Sequence, residues 1–379
     1  MNETTSRIIR DYLHQHREEM ATDLEQFVKK ESPSTVKPLV DECGRYLQEL
    51  FHKHLGLTPE VYPQPSTGDH LKFTYGHAPE QILILGHFDT VWDQGRLAYR
   101  VEGEKVYGPG ILDMKSGIVI AMWGMKALKE LGLSPKKQIV FLCNSDEEIG
   151  SPSSRELIEA EAGKSAYTLV MEPAEAHTGA LKTARKGVGI FTLKVHGRTA
   201  HAGNHHQEGV SAVEELARQI VMLQELTDYE KGTTVNVGII QGGNRTNVVP
   251  DFAEAHIDVR VSSLEEADRI SEAILGLQPI LKGATLEISG QINRPPMVRT
   301  EHTEALFQIA CAIASELGMK LQEASVGGGS DGNFTAALSV PTLDGLGAEG
   351  EGLHAEHEHI LADSLPERAA LFANLVLQL

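Results

Sequence analysis

Gln81-Ile82-Leu83-Ile84-Leu85-Gly86-His87-Phe88-Asp89-Thr90 is the run around which the chain is organised. It begins as a short apolar stretch of the length a buried strand takes, and it ends in Gly-His-x-Asp. Side chains alternate along a strand, so His87 and Asp89 can point to one side. An imidazole and a carboxylate together suit zinc or another borderline metal. The same pair also makes an ordinary hydrogen-bonded turn, so alone it decides nothing. What matters is whether other segments bring ligands to the same strand end.

Downstream, residues 106–115 (Val-Tyr-Gly-Pro-Gly-Ile-Leu-Asp-Met-Lys) form a Gly/Pro-rich turn before a helix expected over 116–131. Asp113 thus precedes a helix N-terminus, where free N–H groups and the macrodipole favour an acid. Capping and metal ligation both remain open for it. A second apolar strand, 137–143, runs into Asn144-Ser145-Asp146-Glu147-Glu148, three consecutive acids that repel unless solvent or a cation screens them. A third, 167–171, runs into Glu172-Pro173. Strands alternating with helices imply a mainly parallel sheet flanked by helices, and such sheets bind ligands beyond the carboxyl ends of their strands. His87, Asp89, Glu147, Glu148 and Glu172 are therefore expected on one rim. The His-rich tract 352–359 follows a short strand expected at 341–346 and is assigned to the same rim.

Upstream, residues 5–30 read as one amphipathic helix and 36–55 as a second; His14, His16, His52 and His54 on them read as surface or satisfied positions. From about 183 the pattern changes to β-α-β-β-α-β, the ferredoxin-like order. The expected division is an α/β domain of residues 1–182 and 295–379, with 183–294 inserted.

The chain has 379 residues, which predicts two domains. It has no apolar run long enough for a membrane span, and its polar first ten residues hold no signal core. Lys plus Arg total 34 against 53 acids, a net charge of −19, which argues against nucleic acid or an anionic membrane as partner. The three cysteines, Cys43, Cys143 and Cys311, form no CxxC pair. A cytoplasmic setting fits them, and any metal must rely on His, Asp and Glu.

These motifs together resemble the zinc-dependent family of aminoacylases, acetylornithine deacetylase, succinyl-diaminopimelate desuccinylase and carboxypeptidase G. The resemblance is carried by Gly86-His87-Phe88-Asp89-Thr90, residues 108–115, Ser145-Asp146-Glu147-Glu148-Ile149-Gly150, Glu172-Pro173, Ala200-His201-Ala202-Gly203, Gly327-Gly328-Gly329-Ser330-Asp331 and Gly352-Leu353-His354. It runs nearly end to end and is closest to the glutamate carboxypeptidase branch. It implies a di-zinc catalytic domain with an inserted lid and dimerisation domain, and two Zn2+ per subunit, with Co2+ or Mn2+ also admitted. Asp113 would bridge the metals, His87 and Glu172 would hold one, and Glu148 and His354 the other, with His357 as the fallback for His354. Glu147 would be the general base, Asp89 would orient His87, and His201 would reach the active site of the partner in a homodimer. Asn247 and Arg260 match lid motifs that would bind the substrate's carboxylate. From the residues themselves, Arg294, Arg185 and Lys186 read either as charge for an acidic side chain or as exposed surface residues, and Gly328 and Gly329 either as amides for the α-carboxylate or as a plain turn. The implied reaction releases an amino acid, a C-terminal glutamate or a similar residue, from a small peptide. An N-acyl-amino-acid deacylase is the alternative, and a silent metal-binding or assembly protein the remote one.

Overall fold

The computed structural model describes residues 3–379. The chain divides into two compact units, the second comprising Arg185–Val298 and Gly327–Gly329, the first the remainder. The second unit thus begins and ends a few residues later than the sequence division expects. It also takes Gly328 and Gly329, which that division assigns to the other domain.

The first unit is built on a six-stranded sheet. Its strands are Glu60–Tyr62 (β1), His70–Tyr75 (β2), Gln81–His87 (β3), Gln138–Asn144 (β4), Ser165–Val170 (β5) and the two-residue Thr342–Leu343, and the spatial order is β1-β2-β4-β3-β5 and then Thr342–Leu343. The last four strands of that order run parallel, and β1 and β2 are antiparallel at one edge. The apolar run in β3 follows from burial on both faces. Ile82 and Ile84 join the large core that includes residues of Glu3–Gln15 (α1), Arg17–Val28 (α2), Lys37–Leu55 (α3) and Ser116–Glu130 (α4). Leu83 and Leu85 join a smaller core with Ile158 and Ala162 of Arg155–Ala162 (α5) and with Phe334. Each such fully buried aliphatic side chain contributes about 1.5–3 kcal/mol.

Residues 5–30 do not form one helix. α1 ends at Gln15 and α2 begins at Arg17, with His16 between them at φ −104°, ψ 12°. The His16 ring lies 2.8 Å from the Tyr12 carbonyl and stacks on the Tyr12 ring at 4.2 Å, so the side chain competes with the helical ladder at that point. Among the described residues, no helix is long and apolar enough to cross a membrane.

The second unit is ferredoxin-like. Gly187–His196 (β6), Thr234–Gly242 (β7), Phe252–Val261 (β8) and Thr285–Arg294 (β9) form an antiparallel sheet in the order β7-β8-β6-β9. Helices Ala212–Gln224 (α6) and Leu264–Leu275 (α7) complete the β-α-β-β-α-β order. Phe191, Leu193 and Val195 of β6 pack with Leu216, Leu223, Ile270 and Ile274, so alternation along β6 separates a core face from a more open one.

Candidate metal centre

The parallel register fixes which segments meet. His87 pairs with Asn144 and Leu85 with Val170, so the chain leaving β4 and the chain leaving β5 emerge beside the end of β3. The Phe88 amide donates to the Asn144 carbonyl and the Met171 amide to the Leu85 carbonyl, which extends the pairing to Met171, the residue before Glu172. Asp113 arrives from the turn before α4. Its backbone is at φ −112°, ψ 92°, outside the helical region, and Lys115 occupies the N-cap position of α4. The capping reading of Asp113 therefore fails, and its carboxylate is turned to other partners.

Those partners are two histidines. Asp113 Oδ1 lies 3.2 Å from His87 Nε2, and Oδ2 lies 3.3 Å from His354 Nε2. Glu172 Oε1 is 3.4 Å from His87 Nε2, and Glu148 Oε2 is 3.2 Å from His354 Nε2. Donor atoms of His87, Asp113 and Glu148 all lie within 4.8 Å of one another. Two groups of donors thus share Asp113, which turns one oxygen to each. His354 is held in place by a turn with φ +86° at Gly352 and +56° at His354 itself. His357 lies on the exposed side of this tract, its ring 6.5 Å from that of His359, and the structure brings His354 to the carboxylates instead.

The charges in this cluster are mutually dependent. Burial, together with the Asp113 charge, pushes the Glu148 carboxyl up to about 7. Hydrogen bonding to Asp113 and Glu148 lifts His354 to about 10. Burial disfavours the charge on Asp113, but the bonds from His354 and His87 outweigh it and hold the carboxyl well below the usual range. For His87, burial is outweighed by Asp113, Asp89 and Glu172, which raise it well above an ordinary imidazole. The carboxylates outnumber the imidazoles. Glu148 Oε1 is buried and has no hydrogen-bond partner among the described residues. A buried carboxylate oxygen without a donor is costly, and a cation is the partner such an oxygen accepts. The donor set of imidazoles and carboxylates suits zinc, cobalt or manganese.

Asp89 is fully buried and does more than the sequence suggested. Its carboxylate accepts the amides of Glu147 and Glu148, both at 3.2 Å, and the Ser34 hydroxyl at 2.7 Å. His87 Nδ1 hydrogen-bonds the main-chain carbonyl of Asp89 at 3.1 Å, while the carboxylate lies 3.4 Å away as a neighbouring charge. The expected triple repulsion among Asp146, Glu147 and Glu148 is relieved by turning Asp146 away. Asp146 accepts the amides and hydroxyls of Ser153 and Ser154.

Comparison with known proteins agrees with this geometry. The sequence pattern of Peptidase family M20/M25/M40 matches residues 83–378. This chain belongs to that family. It is 32% identical to carboxypeptidase G2 of a Pseudomonas species over 311 residues, 80% of this chain and 75% of the relative. It is 26% identical to succinyl-diaminopimelate desuccinylase of Hydrogenovibrio crunogenus, over 91% of this chain and 95% of that one. An M20 family metallo-carboxypeptidase from Sulfolobus solfataricus shares the fold, with a TM-score of 0.77 over 95% of this chain and 100% of its own, at 19% identity. The M20 chain is a hydrolytic enzyme of the metallopeptidase and amidohydrolase kind with metal-binding residues present.

The remaining expected residues of this M20 chain lie in the second unit. His201 is exposed, and its Nδ1 accepts the amides of Gly203 and Asn204 at 3.0 Å each, which leaves the proton of the neutral ring on Nε2. Asn247 is exposed, and its main-chain carbonyl takes the Ala202 amide. Arg260 is engaged by its own strand: Nε and Nη2 each lie 2.9 Å from an oxygen of Asp258. Arg294 is buried at the end of β9. Gly328 and Gly329 turn their carbonyls to Arg185 Nη1 at 3.1 and 3.3 Å, so Arg185 is occupied there rather than exposed. Sequence reasoning gave no role to Ser34 or Glu358. Nothing in the local sequence marks Ser34, whereas Glu358 stands within the His-rich tract and was visible as its acid.

Proposed function

We propose that this enzyme hydrolyses an amide bond to release a free amino acid, a C-terminal glutamate or similar residue, from a small peptide. The observation that carries the reading is Asp113, with one oxygen facing His87 and the other His354, and Glu172 and Glu148 flanking them. In this reading His87, Asp113 and Glu172 would hold one zinc, and Asp113, Glu148 and His354 a second. When bound, two such ions supply Lewis acidity to a scissile carbonyl and make water acidic at neutral pH. Glu147 takes the proton of the attacking water and returns it to the leaving amine. Asp89 holds the amide of Glu147 and thereby sets where that base stands. His201, with a donor at Nε2, serves the partner's site in a homodimer and stabilises the oxyanion that develops there. Arg294, Asn247, Gly328 and Gly329 receive the substrate's carboxylates, and Arg260 joins them by sharing its fork with Asp258. The 32% identity to carboxypeptidase G2 supports the choice of substrate.

A homodimer through the second unit belongs to the same reading. It is supported by edge strand β7, which exposes Ile239 and Ile240, and by exposed Val221, Met222 and Tyr229. A cytoplasmic setting is supported by three free cysteines. A second reading, an N-acyl-amino-acid deacylase, is favoured by the desuccinylase likeness over nearly the whole of both chains.

The test is Glu147→Gln with elemental analysis and a panel of acylated amino acids. The variant should keep its metal and lose about 100- to 10,000-fold in kcat. Undiminished turnover would remove Glu147 from the mechanism. Faster turnover of succinyl-diaminopimelate or acetylornithine than of any acylated glutamate would select the deacylase.

A further inference from the structure

Glu358 is 1% exposed, and its carboxylate gathers donors from two other segments. Oε2 accepts the Trp92 indole N–H at 2.5 Å and the Gly110 amide at 3.2 Å. Oε1 accepts the amides of Leu112 and Asp113 at 2.9 and 3.2 Å. Trp92 lies on the chain leaving His87 and Asp89. Gly110, Leu112 and Asp113 form the turn that delivers Asp113. Glu358 itself lies on the tract that delivers His354. We propose that Glu358 is a positioning residue for the metal centre, tying the His87, Asp113 and His354 segments together at one buried carboxylate. This rests on the reading above that those three residues hold metal.

The physical need is specific. Because Asp113 has left helical φ/ψ, the amides of Leu112 and Asp113 need acceptors outside the helical ladder. The turn is not free to relax around a different partner: at Gly110, with φ +68°, an added Cβ would stand 2.3 Å from Thr90 Cγ2. A carboxylate can accept two donors on each oxygen, whereas an amide of the same shape offers one accepting oxygen and one NH2 group. Glu358→Gln therefore sets an N–H2 against either Trp92 and Gly110 or Leu112 and Asp113, at nearly unchanged volume. A further tie between these segments, Arg96 to Glu356, is exposed on both sides and holds weakly.

The experiment measures zinc affinity of the full chain by competition with a chromophoric chelator, and melting temperature with and without zinc. Glu358→Gln should weaken zinc binding about 10- to 100-fold, as loss of a partner behind the ligands typically does. The rise in melting temperature on adding zinc should shrink in step. A structural brace with no positioning role would lower both melting temperatures alike and leave affinity within about twofold of wild type; that result overturns the proposal. If Glu358→Gln does not fold, Trp92→Phe removes a single donor and should weaken zinc binding in the same direction by a smaller factor. Unchanged affinity in that variant would also overturn it. Wild-type protein that binds no zinc, or His87→Ala that binds it as tightly, would instead defeat the reading on which the proposal rests.

Discussion

Replacing Asp89 by Ala separates two accounts of how the site is held. The carboxylate accepts Ser34 Oγ at 2.7 Å and the amides of Glu147 and Glu148 at 3.2 Å, all without solvent exposure at Asp89. A hydrogen bond to a charged acceptor contributes about 1.5–3 kcal/mol. With two of the three at the long end of the range, the loss is about 3–6 kcal/mol. If Asp89 served only to orient His87, the variant would bind metal about 10- to 100-fold less tightly, and excess metal would restore turnover. The hydrogen bonds give a different expectation, because His87 Nδ1 already has the Asp89 main-chain carbonyl, which Ala retains. What Ala removes is the anchor of the two consecutive acids. Displacing a catalytic group by about 1 Å can cost a hundredfold. We therefore expect kcat of Asp89→Ala to stay about 100-fold below wild type at saturating metal and substrate. The assay is steady-state hydrolysis across a metal titration, with metal content confirmed at the plateau. Recovery of kcat to within a few-fold of wild type as metal is raised would refute the reasoning. Ser34→Ala, which removes one of the three bonds, should lose less, about 1.5–3 kcal/mol.

Other perturbations follow from the same structure. An added Cβ at Gly117, in the first turn of α4, would stand 1.9 Å from the Met171 carbonyl oxygen, just before Glu172. Gly117→Ala should cost at least about 1–3 kcal/mol in stability and weaken metal retention, and wild-type melting with wild-type metal affinity would contradict this. Asp23 accepts His54 Nε2 at 2.7 Å, Trp123 Nε1 at 3.0 Å and Lys53 Nζ at 2.9 Å. Burial pushes its carboxyl up, but the bonds from His54 and Lys53 outweigh burial and hold it below the usual value. A carboxyl depressed in the folded state contributes stability above its unfolded pKa, and that contribution is lost as pH falls through the folded pKa. Asp23→Asn should thus be less stable by about 1–3 kcal/mol at pH 7, with the gap from wild type closing below about pH 4. Denaturant titrations from pH 3 to 8 measure it, and a gap independent of pH would assign the effect to something other than this charge. Sedimentation should show a pair of chains that Ile240→Lys, on edge strand β7, drives apart; a wild type that sediments as single chains would remove the dimer.

How much of this was legible in the sequence depends on whether the deciding interaction is local. β3 could be read directly because burial on both faces writes a continuous apolar run, and its register with β4 and β5 then places Glu148 and Glu172 beside His87. The β-α-β-β-α-β order was legible for the same reason, since helices and half-buried strands each carry their own period. α5 escaped because only Ile158, Glu161 and Ala162 are buried in its eight residues, too few to set a period. The short strands Lys105–Tyr107 and His359–Leu361 exist by pairing with each other rather than by any pattern of their own. Within the site the limit is sharper. Residue types at strand ends announce a cation site, but they do not say which atom meets which. Asp113 as cap or ligand turned on one residue's φ/ψ, set by a turn whose amides are held by Glu358 from a segment far along the chain. The same holds for Arg260, whose charge suggests a carboxylate partner and whose fork already grips Asp258 two residues away on β8. For a substrate carboxylate to take that fork it must first displace or share Asp258, so the ion pair opposes binding by any acid that cannot supply both oxygens. If Arg260 meets the substrate as proposed, a monodentate acceptor such as an amide carbonyl is selected against there and a free carboxylate is favoured, by the same planar geometry that makes the intrastrand pair.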